Sequence, residues 1–219
     1  TGTLQMHAQD VTALVKQLSE LHGRPVVILG HSFGGLIVQQ VVADLTKVGS
    51  SALAGIVLLA SVPPGGNSGL VLRNLWRSPL LAMQITWGFI TRAFERDAAL
   101  CRRLFFDPDL PLTEVEGYMQ KMIEGCPPGS RLFDLRELQK SLPVPTSSSD
   151  GLPKLVLGGD QDAIVDVEAL SETAAAHGVE PLVLESVAHD AMLGPKWRCA
   201  ADAILMWLEE LTPHSADRE

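Results

Sequence analysis

Apolar residues in the first quarter of the chain alternate between helical spacing and short continuous runs. Residues 4–21 place apolar side chains three, four and seven positions apart, which predicts an amphipathic helix. Residues 26–29 and 53–62 are nearly continuous apolar runs, typical of parallel strands that are covered on both faces. A second helix is predicted over 33–47, between the two runs. Strands that alternate with helices predict an α/β fold built on a mostly parallel sheet.

The pattern changes after residue 62. Residues 63–150 contain apolar residues at helical spacing but no strong strand signal, and a polar Pro- and Ser-rich linker closes the segment over 143–151. We therefore expect a helical insertion over 63–150, within a core made of residues 1–62 and 151–219. The helices predicted in the insertion cover residues 70–76, 80–94, 98–106, 113–124 and 130–139.

The alternation of strands and helices resumes beyond the linker. The Val- and Leu-rich run over 154–158 predicts a strand, and a helix is predicted over 167–177. A further strand is predicted over 181–186, followed by an amphipathic helix over 195–211. This part of the chain therefore extends the same parallel sheet.

The turn between the first strand and the second helix carries a Gly-x-Ser-x-Gly motif, Gly30-His31-Ser32-Phe33-Gly34. A serine on so tight a turn has a strained backbone, and its hydroxyl projects out of the sheet. We expect Gly30 and Gly34 to be required because a side chain at either position would collide with the neighbouring strand or helix. The following helix directs its N-terminal N–H groups toward the serine, so the N–H of Phe33 is the expected oxyanion donor.

With this motif and two later segments, residues 157–165 and 185–193, the chain resembles the α/β-hydrolase family. In that family the nucleophile, the acid and the base follow one another along the chain. The resemblance implies an α/β-hydrolase fold with a helical lid, formed here by the insertion. It also implies that Ser32 is the nucleophile, and it marks His31 as a supporting residue within the elbow.

The acid is expected on a loop that follows a strand after the insertion. Residues 157–165 resemble the family's strand–Gly-x-x-Asp–apolar pattern, and in that register Asp162 is the acid. Asp160 and Asp166 lie close by and are the alternatives. Asp160 occupies a position that is often acidic in the family without being catalytic, and Asp166 is predicted to cap the helix that begins at Val167.

The base is expected after the last strand. Residues 185–193 resemble the family's His-Asp-apolar signature, and His189 follows Asp162 by 27 residues, which leaves room for one helix and one strand. The remaining histidines outside the elbow fall where helices or loops are predicted: His7, His22, His177 and His214.

A serine nucleophile with a histidine base points to acyl transfer, through an acyl-enzyme that water releases. The resemblance therefore implies a serine esterase or lipase that acts on a small apolar acyl compound and requires no metal or cofactor. The alternative is a non-catalytic, receptor-like binding protein with the same fold, because fold alone does not determine function.

The insertion is rich in large apolar residues over 75–94, and two roles for them are open. The favoured expectation is that they pack the insertion onto the sheet. The alternative, which is compatible with the first, is that some of them line an apolar acyl pocket.

Composition excludes some classes and leaves others open. A formal charge of −9 and a pI near 5.1 argue against nucleic-acid binding. Cys101, Cys126 and Cys199 lie far apart without a C-x-x-C pair, so neither a zinc site nor a disulfide framework is indicated. This favours a reducing compartment, cytoplasmic or inside an organelle. No apolar run approaches the roughly 18–20 residues of a membrane span, so membrane association is not indicated. The oligomeric state stays open.

The chain departs from the family pattern ahead of the elbow. Several strands, together with the loop that donates the second oxyanion N–H, precede the elbow strand in the family. Here only one predicted helix precedes it. We expect the chain to lack the early strands of the fold, and with them the second oxyanion donor. The alternative is a compact variant of the fold with a reduced sheet.

Overall fold

The fold is taken from a computed structural model that describes residues 2–126, 130–147 and 151–211. Residues 148–150 of the predicted linker, and the last residues of the predicted core beyond 211, lie outside this range. The described sheet has four parallel strands in the order β1-β2-β3-β4, with β1 at one edge. The strands are β1 (Val26–His31), β2 (Leu53–Leu59), β3 (Lys154–Gly159) and β4 (Pro181–Leu184).

Helices lie on both faces of this sheet and fill the segment between β2 and β3. Within the described residues they are α1 (Leu4–His22), α2 (Gly34–Lys47), α3 (Ser68–Arg77), α4 (Pro79–Thr91), α5 (Ala98–Phe105), α6 (Leu112–Gly125), α7 (Leu135–Lys140), α8 (Val167–His177) and α9 (Trp197–Leu211). A single 3₁₀ turn, Ala93–Glu95, joins α4 to α5. Every strand and helix predicted from the sequence has a counterpart here, although several of the ends differ.

Strand β2 shows why its run of apolar residues is continuous. Ile56 and Leu58 pack with residues of α2 and α8 on one face of the sheet, whereas Val57 and Leu59 pack toward α9 on the other. All four side chains are buried. Because both faces are covered by helices, there is no polar face, and the alternating pattern of a half-exposed strand is absent.

The predicted ends of two helices in the insertion need correction. The helix predicted to reach residue 94 ends at Thr91, because Arg92 adopts a left-handed conformation with φ of 54°. The helix predicted from residue 130 begins only at Leu135, where the Asp134 side chain accepts hydrogen bonds from the N–H groups of Arg136 and Glu137. This side-chain cap fixes the N-terminus of α7.

The apolar residues of α3 and α4 are mostly exposed, which contradicts the expectation that they pack onto the sheet. Trp76 is 81% exposed, Leu80 62% and Trp87 55%. Leu75, Met83, Trp87 and Ile90 belong instead to the lining of an open cavity of about 380 Å³. Because α4 is apolar all round, the sequence pattern could not show which of its faces is buried.

Helix α3 is fastened to the start of α8 by charged side chains. The Arg73 guanidinium donates two hydrogen bonds to the Asp166 carboxylate, at 2.8 and 2.9 Å. Arg77 donates to Glu168 at 2.7 Å. Asp166 also caps α8 by accepting from the N–H of Ala169, so the predicted cap is confirmed. These contacts attach α3 to the N-terminal end of α8, the helix that follows β3.

Candidate active site

Ser32 lies on the turn between β1 and α2, in a backbone conformation that residues with a side chain rarely adopt. Its φ is 54°. The turn is held by three backbone hydrogen bonds: Ser32 N–H donates to the carbonyl of Leu59, and the Ser32 carbonyl accepts from the N–H groups of Gly35 and Val62. These bonds join the turn to the end of β2 and to the first turn of α2. They direct the Ser32 side chain out of the sheet, as the motif predicts.

The glycines of the turn are required at somewhat different positions from those expected. A Cβ on Gly30 would lie 2.7 Å from the Gly34 carbonyl oxygen, so the first motif glycine is needed. A Cβ on Gly34 would meet no heavy atom within 4 Å among the described residues, so the expected collision there is wrong. The crowded position is Gly35, where a Cβ would overlap the Ser61 hydroxyl. Close packing of α2 on the end of β2 therefore depends on Gly35.

Three residues from separate loops meet above the sheet. His189 Nε2 lies 3.1 Å from Ser32 Oγ, and His189 Nδ1 lies 2.7 Å from Asp162 Oδ2. His189 and Asp162 are both buried. The other oxygen of Asp162 accepts hydrogen bonds from the N–H groups of Ile164 and Val165, at 2.7 and 2.8 Å. The serine, histidine and aspartate thus form one continuous hydrogen-bonded chain, with the carboxylate fixed from behind.

Asp160 and Asp166, the two alternatives for the acid, make other hydrogen bonds in the described structure. Asp160 Oδ1 accepts a hydrogen bond from the N–H of Ser186 at 2.6 Å. Asp166 is occupied by the α8 cap and by Arg73. Of the three candidate carboxylates, Asp162 is the one in contact with His189.

The surroundings of His189 stabilise its protonated form more than water stabilises that of a free histidine. Burial opposes a charge on the ring, but the Asp162 carboxylate and its hydrogen bond outweigh that effect and raise the pKa of His189. In the neutral ring, Nδ1–H faces Asp162 and the Nε2 lone pair faces the serine hydroxyl. This arrangement can accept the proton of Ser32 and stabilise the imidazolium that results.

His31 lies beside His189 and contacts both its backbone and its ring. Its Nε2–H donates to the carbonyl of His189 at 3.0 Å, and the two rings are 4.7 Å apart. Burial, reinforced by the neighbouring His189, lowers the pKa of His31 to about 4, so the ring is neutral at pH 7. Its 3.7 Å approach to Asp190 is therefore not an ion pair.

The family is decided by the match of a family model, described as "Alpha/beta hydrolase family", to residues 2–201. The chain belongs to the alpha/beta hydrolase family. Solved structures agree on the fold. A putative non-heme bromoperoxidase from Mycobacterium tuberculosis H37Rv superposes with a TM-score of 0.65 at 17% identity, over 97% of this chain and 76% of its own.

Two hydrolases are also structurally similar. A thermophilic esterase from Thermogutta terrifontis has a TM-score of 0.60 at 21% identity, over 97% of this chain and 74% of its own. A monoacylglycerol lipase from Paleococcus ferrophilus has a TM-score of 0.57 at 17% identity, over 96% and 77%. No sequence of a curated protein matches this chain. In the described part of this chain, none of the helices combines the length and apolar character needed to cross a membrane.

His31, His189 and Asp190 are the one group in the described residues whose side-chain atoms lie close enough for a metal ion, within 4.8 Å of one another. Both ring nitrogens of His189 face Ser32 or Asp162, and His31 Nε2 faces a carbonyl. These atoms are thus already engaged in the hydrogen bonds of the site. That this chain needs no metal stays a prediction.

Asp190 was not singled out from the sequence as a candidate, yet it carries the cost of a buried carboxylate beside the site. Burial raises its pKa to about 6, although the neighbouring His189 acts in the opposite direction. Because the folded protein binds this proton more tightly than the unfolded chain, the stability contributed by Asp190 falls as the pH rises from about 4 to about 6.

We expect Asp190→Asn to stabilise the protein at pH 7.5 by roughly 3 kcal/mol, because an amide avoids the cost of burying a charge. The gain should shrink toward zero at pH 4, where the carboxyl is protonated. Denaturant unfolding at both pH values measures it, with the exposed Asp10→Asn as control. An equal gain at both pH values would contradict this explanation.

Three aromatic rings from the segment between β2 and β3 lie next to His189. The Phe105 ring lies 6.2 Å from that of His189, and Phe89 and Phe94 lie 5.9 and 5.2 Å from Phe105. Sequence reasoning grouped Phe89 and Phe94 with the apolar residues of the insertion but did not connect any of the three rings to His189. Their proximity to His189 depends on contacts between segments that are distant in the chain, for which the sequence carries no local signal.

Proposed function

We propose that this chain is a serine hydrolase that cleaves esters or related acyl compounds through an acyl-enzyme intermediate. The proposal rests on the hydrogen-bonded chain from Ser32 Oγ through His189 to Asp162. A serine hydroxyl is a weak nucleophile at neutral pH, and a histidine within hydrogen-bonding distance, itself oriented by a carboxylate, is the arrangement that activates it.

The proposed acylation step uses each of these atoms. Ser32 Oγ attacks the carbonyl carbon of the substrate, and its proton passes to His189 Nε2, while Asp162 stabilises the imidazolium. The Phe33 N–H, at the start of α2, is proposed to donate to the oxyanion of the tetrahedral intermediate, helped by the positive end of the helix dipole. His189 then returns the proton to the leaving alcohol as the carbon–oxygen bond breaks, and Ser32 is left acylated.

Deacylation repeats these steps with water. His189 takes a proton from a water molecule as that water attacks the acyl carbon, and then returns it to Ser32 Oγ when the acid leaves. The balance of the reaction is one ester and one water converted to one acid and one alcohol. All the proton transfers use His189 Nε2, so no cofactor is required.

The substrate class is proposed from the apolar surroundings of the site. Phe105 lies beside His189, with Phe89 and Phe94 behind it, and aromatic walls of this kind favour an apolar acyl group. We propose that residues 63–150 form the lid that supplies this wall. Two similar structures are named an esterase and a monoacylglycerol lipase, which is compatible with such a substrate.

Covalent labelling tests the proposal directly. A fluorophosphonate probe reacts with an activated serine, so we expect labelling of the wild-type protein at Ser32 and loss of labelling in Ser32→Ala. Ser171→Ala, which removes an exposed hydroxyl on α8, is the control and should label fully. A folded wild-type protein that does not label would favour the alternative, a non-catalytic ligand-binding member of the family.

A further inference from the structure

The loop that carries the histidine base, residues 186–190, is held on one side by the loop that carries the acid. Asp160 Oδ1 accepts from the N–H of Ser186 at 2.6 Å, and the N–H of Gln161 donates to the carbonyl of Val187 at 3.0 Å. Ser186 itself has a φ of 59°, so the chain turns sharply at the point where this base loop begins. These contacts secure the first half of the base loop.

The second half of the base loop is held by the insertion. Asp107, just after α5, accepts a hydrogen bond on Oδ1 from the N–H of Ala188 at 3.1 Å. The carbonyl of Phe105 accepts from the N–H of Asp190 at 2.8 Å. The two backbone groups so engaged belong to the residues immediately before and after His189. Phe105 and Asp107 therefore hold the backbone on both sides of His189 by hydrogen bonds.

Lys196 connects Asp107 to the start of the base loop. Its Nζ lies 3.8 Å from Asp107 Oδ1 and donates to the carbonyl of Ser186 at 2.6 Å. Asp107 is 4% exposed. Burial raises the pKa of Asp107 above that of a free aspartate, although Lys196 and the Ala188 N–H act to lower it. A buried carboxylate in these surroundings costs stability, and a gain elsewhere is needed to explain its presence.

We propose that Asp107 is a positioning residue of the hydrolase, which sets the orientation of His189 toward Ser32 by accepting the Ala188 N–H. The proposal rests on the proposed function, because positioning matters only if His189 acts on Ser32. Asp107 does not touch the reacting atoms. It acts through one backbone hydrogen bond, one residue away from the base.

The physical reason is the small tolerance of the site. A displacement of about 1 Å can cost about 100-fold in rate. Ala188 is buried, so its N–H without Asp107 would have to find a new acceptor or carry the cost of being unpaired. The base loop would then shift, and the 3.1 Å contact between His189 Nε2 and Ser32 Oγ would lengthen.

Three variants test the role of the acceptor. In Asp107→Ala we expect kcat for a short p-nitrophenyl ester to fall about 10- to 100-fold with KM changed less than about twofold, because binding is kept and only the catalytic geometry is lost. In Asp107→Asn, which keeps an oxygen acceptor, kcat should stay within about threefold of wild type. Asp109→Ala, which removes an exposed carboxylate from the same loop, is the control and should leave kcat unchanged.

A spectroscopic measurement makes the test independent of turnover. The proton between His189 Nδ1 and Asp162 gives a downfield proton NMR resonance when the two are tightly paired. We expect this resonance in the wild type and in Asp107→Asn, and its loss or upfield movement in Asp107→Ala. If Ser32→Ala still hydrolysed esters, the proposed function would fail, whereas this resonance would still report whether Asp107 positions His189.

Several results would overturn the proposal. An unchanged kcat or an unchanged resonance in Asp107→Ala would do so, as would an Asp107→Asn protein as impaired as Asp107→Ala. If Asp107→Ala does not fold, hydrogen exchange at the Ala188 amide of the wild-type protein decides instead. Slow exchange supports the hydrogen bond to Asp107, and exchange as fast as that of an exposed amide overturns it.

Discussion

Ser32→Ala and His189→Ala should each abolish hydrolysis of a short p-nitrophenyl ester, with losses in kcat on the order of 10⁶-fold. The first change removes the attacking oxygen, and the second removes the group that takes its proton. Ser32 Oγ and His189 Nε2 lie 3.1 Å apart, so in the proposed mechanism neither group can act without the other. The measurement is steady-state kinetics on purified variants whose folding has been checked by circular dichroism.

The double variant makes the prediction sharper. Residues that act as a unit are not additive, so Ser32→Ala combined with His189→Ala should be little worse than either change alone. Ser171→Ala and His22→Ala remove an exposed serine and an exposed histidine on other helices and should keep wild-type turnover. Clear hydrolysis by the purified Ser32→Ala protein would rule out the serine mechanism.

Asp162→Asn is expected to lower kcat about 10⁴-fold. Asp162 Oδ2 accepts the Nδ1–H of His189 at 2.7 Å, and it stabilises the positive charge that forms on the ring. An amide at this position can turn its NH₂ group toward Nδ1, which favours the wrong tautomer and leaves Nε2 unable to accept the serine proton. Because the Asp162 carboxylate raises the pKa of His189, the acidic limb of the pH–rate profile should also move to lower pH in this variant.

The other two acidic residues of this region provide matched controls. Asp160→Asn keeps an oxygen acceptor for the N–H of Ser186, and Asp166→Asn keeps an effective helix cap. Each should lose less than about tenfold in kcat, since neither carboxylate contacts His189 in the described structure. A larger loss in Asp160→Asn than in Asp162→Asn would show that another carboxylate orients the base.

The parts of the site that could be predicted are those with a local signal. Ser32, Asp162 and His189 each lie on a loop directly after a strand, within a short motif that stands out from its surroundings. The order of the elements could be predicted for the same reason, because each strand is a short run of adjacent apolar residues. In β2 and β3 this run reflects burial on both faces of the sheet.

What could not be predicted depends on contacts between distant segments. Nothing near Asp107 distinguishes it from Asp109, yet one is buried against the base loop and the other is exposed. Gly34 belongs to the motif, but the tight contact falls on Gly35, because Ser61 packs against α2 from the end of another strand. The sequence also could not show which face of α4 is buried, because that helix carries apolar residues on all sides.

The spread of the site across the sheet has a consequence for folding. Ser32 follows β1, Asp162 follows β3 and His189 follows β4, so the serine and its base are 157 positions apart in the chain. Contacts of such long range form late, because the entropy of closing the intervening loop must be overcome first. A partly folded chain with only β1, α2 and β2 in place would present the serine on its turn but no base to activate it. If Ser32 is the nucleophile as proposed, its reactivity requires β1, β3 and β4 to be assembled in one sheet.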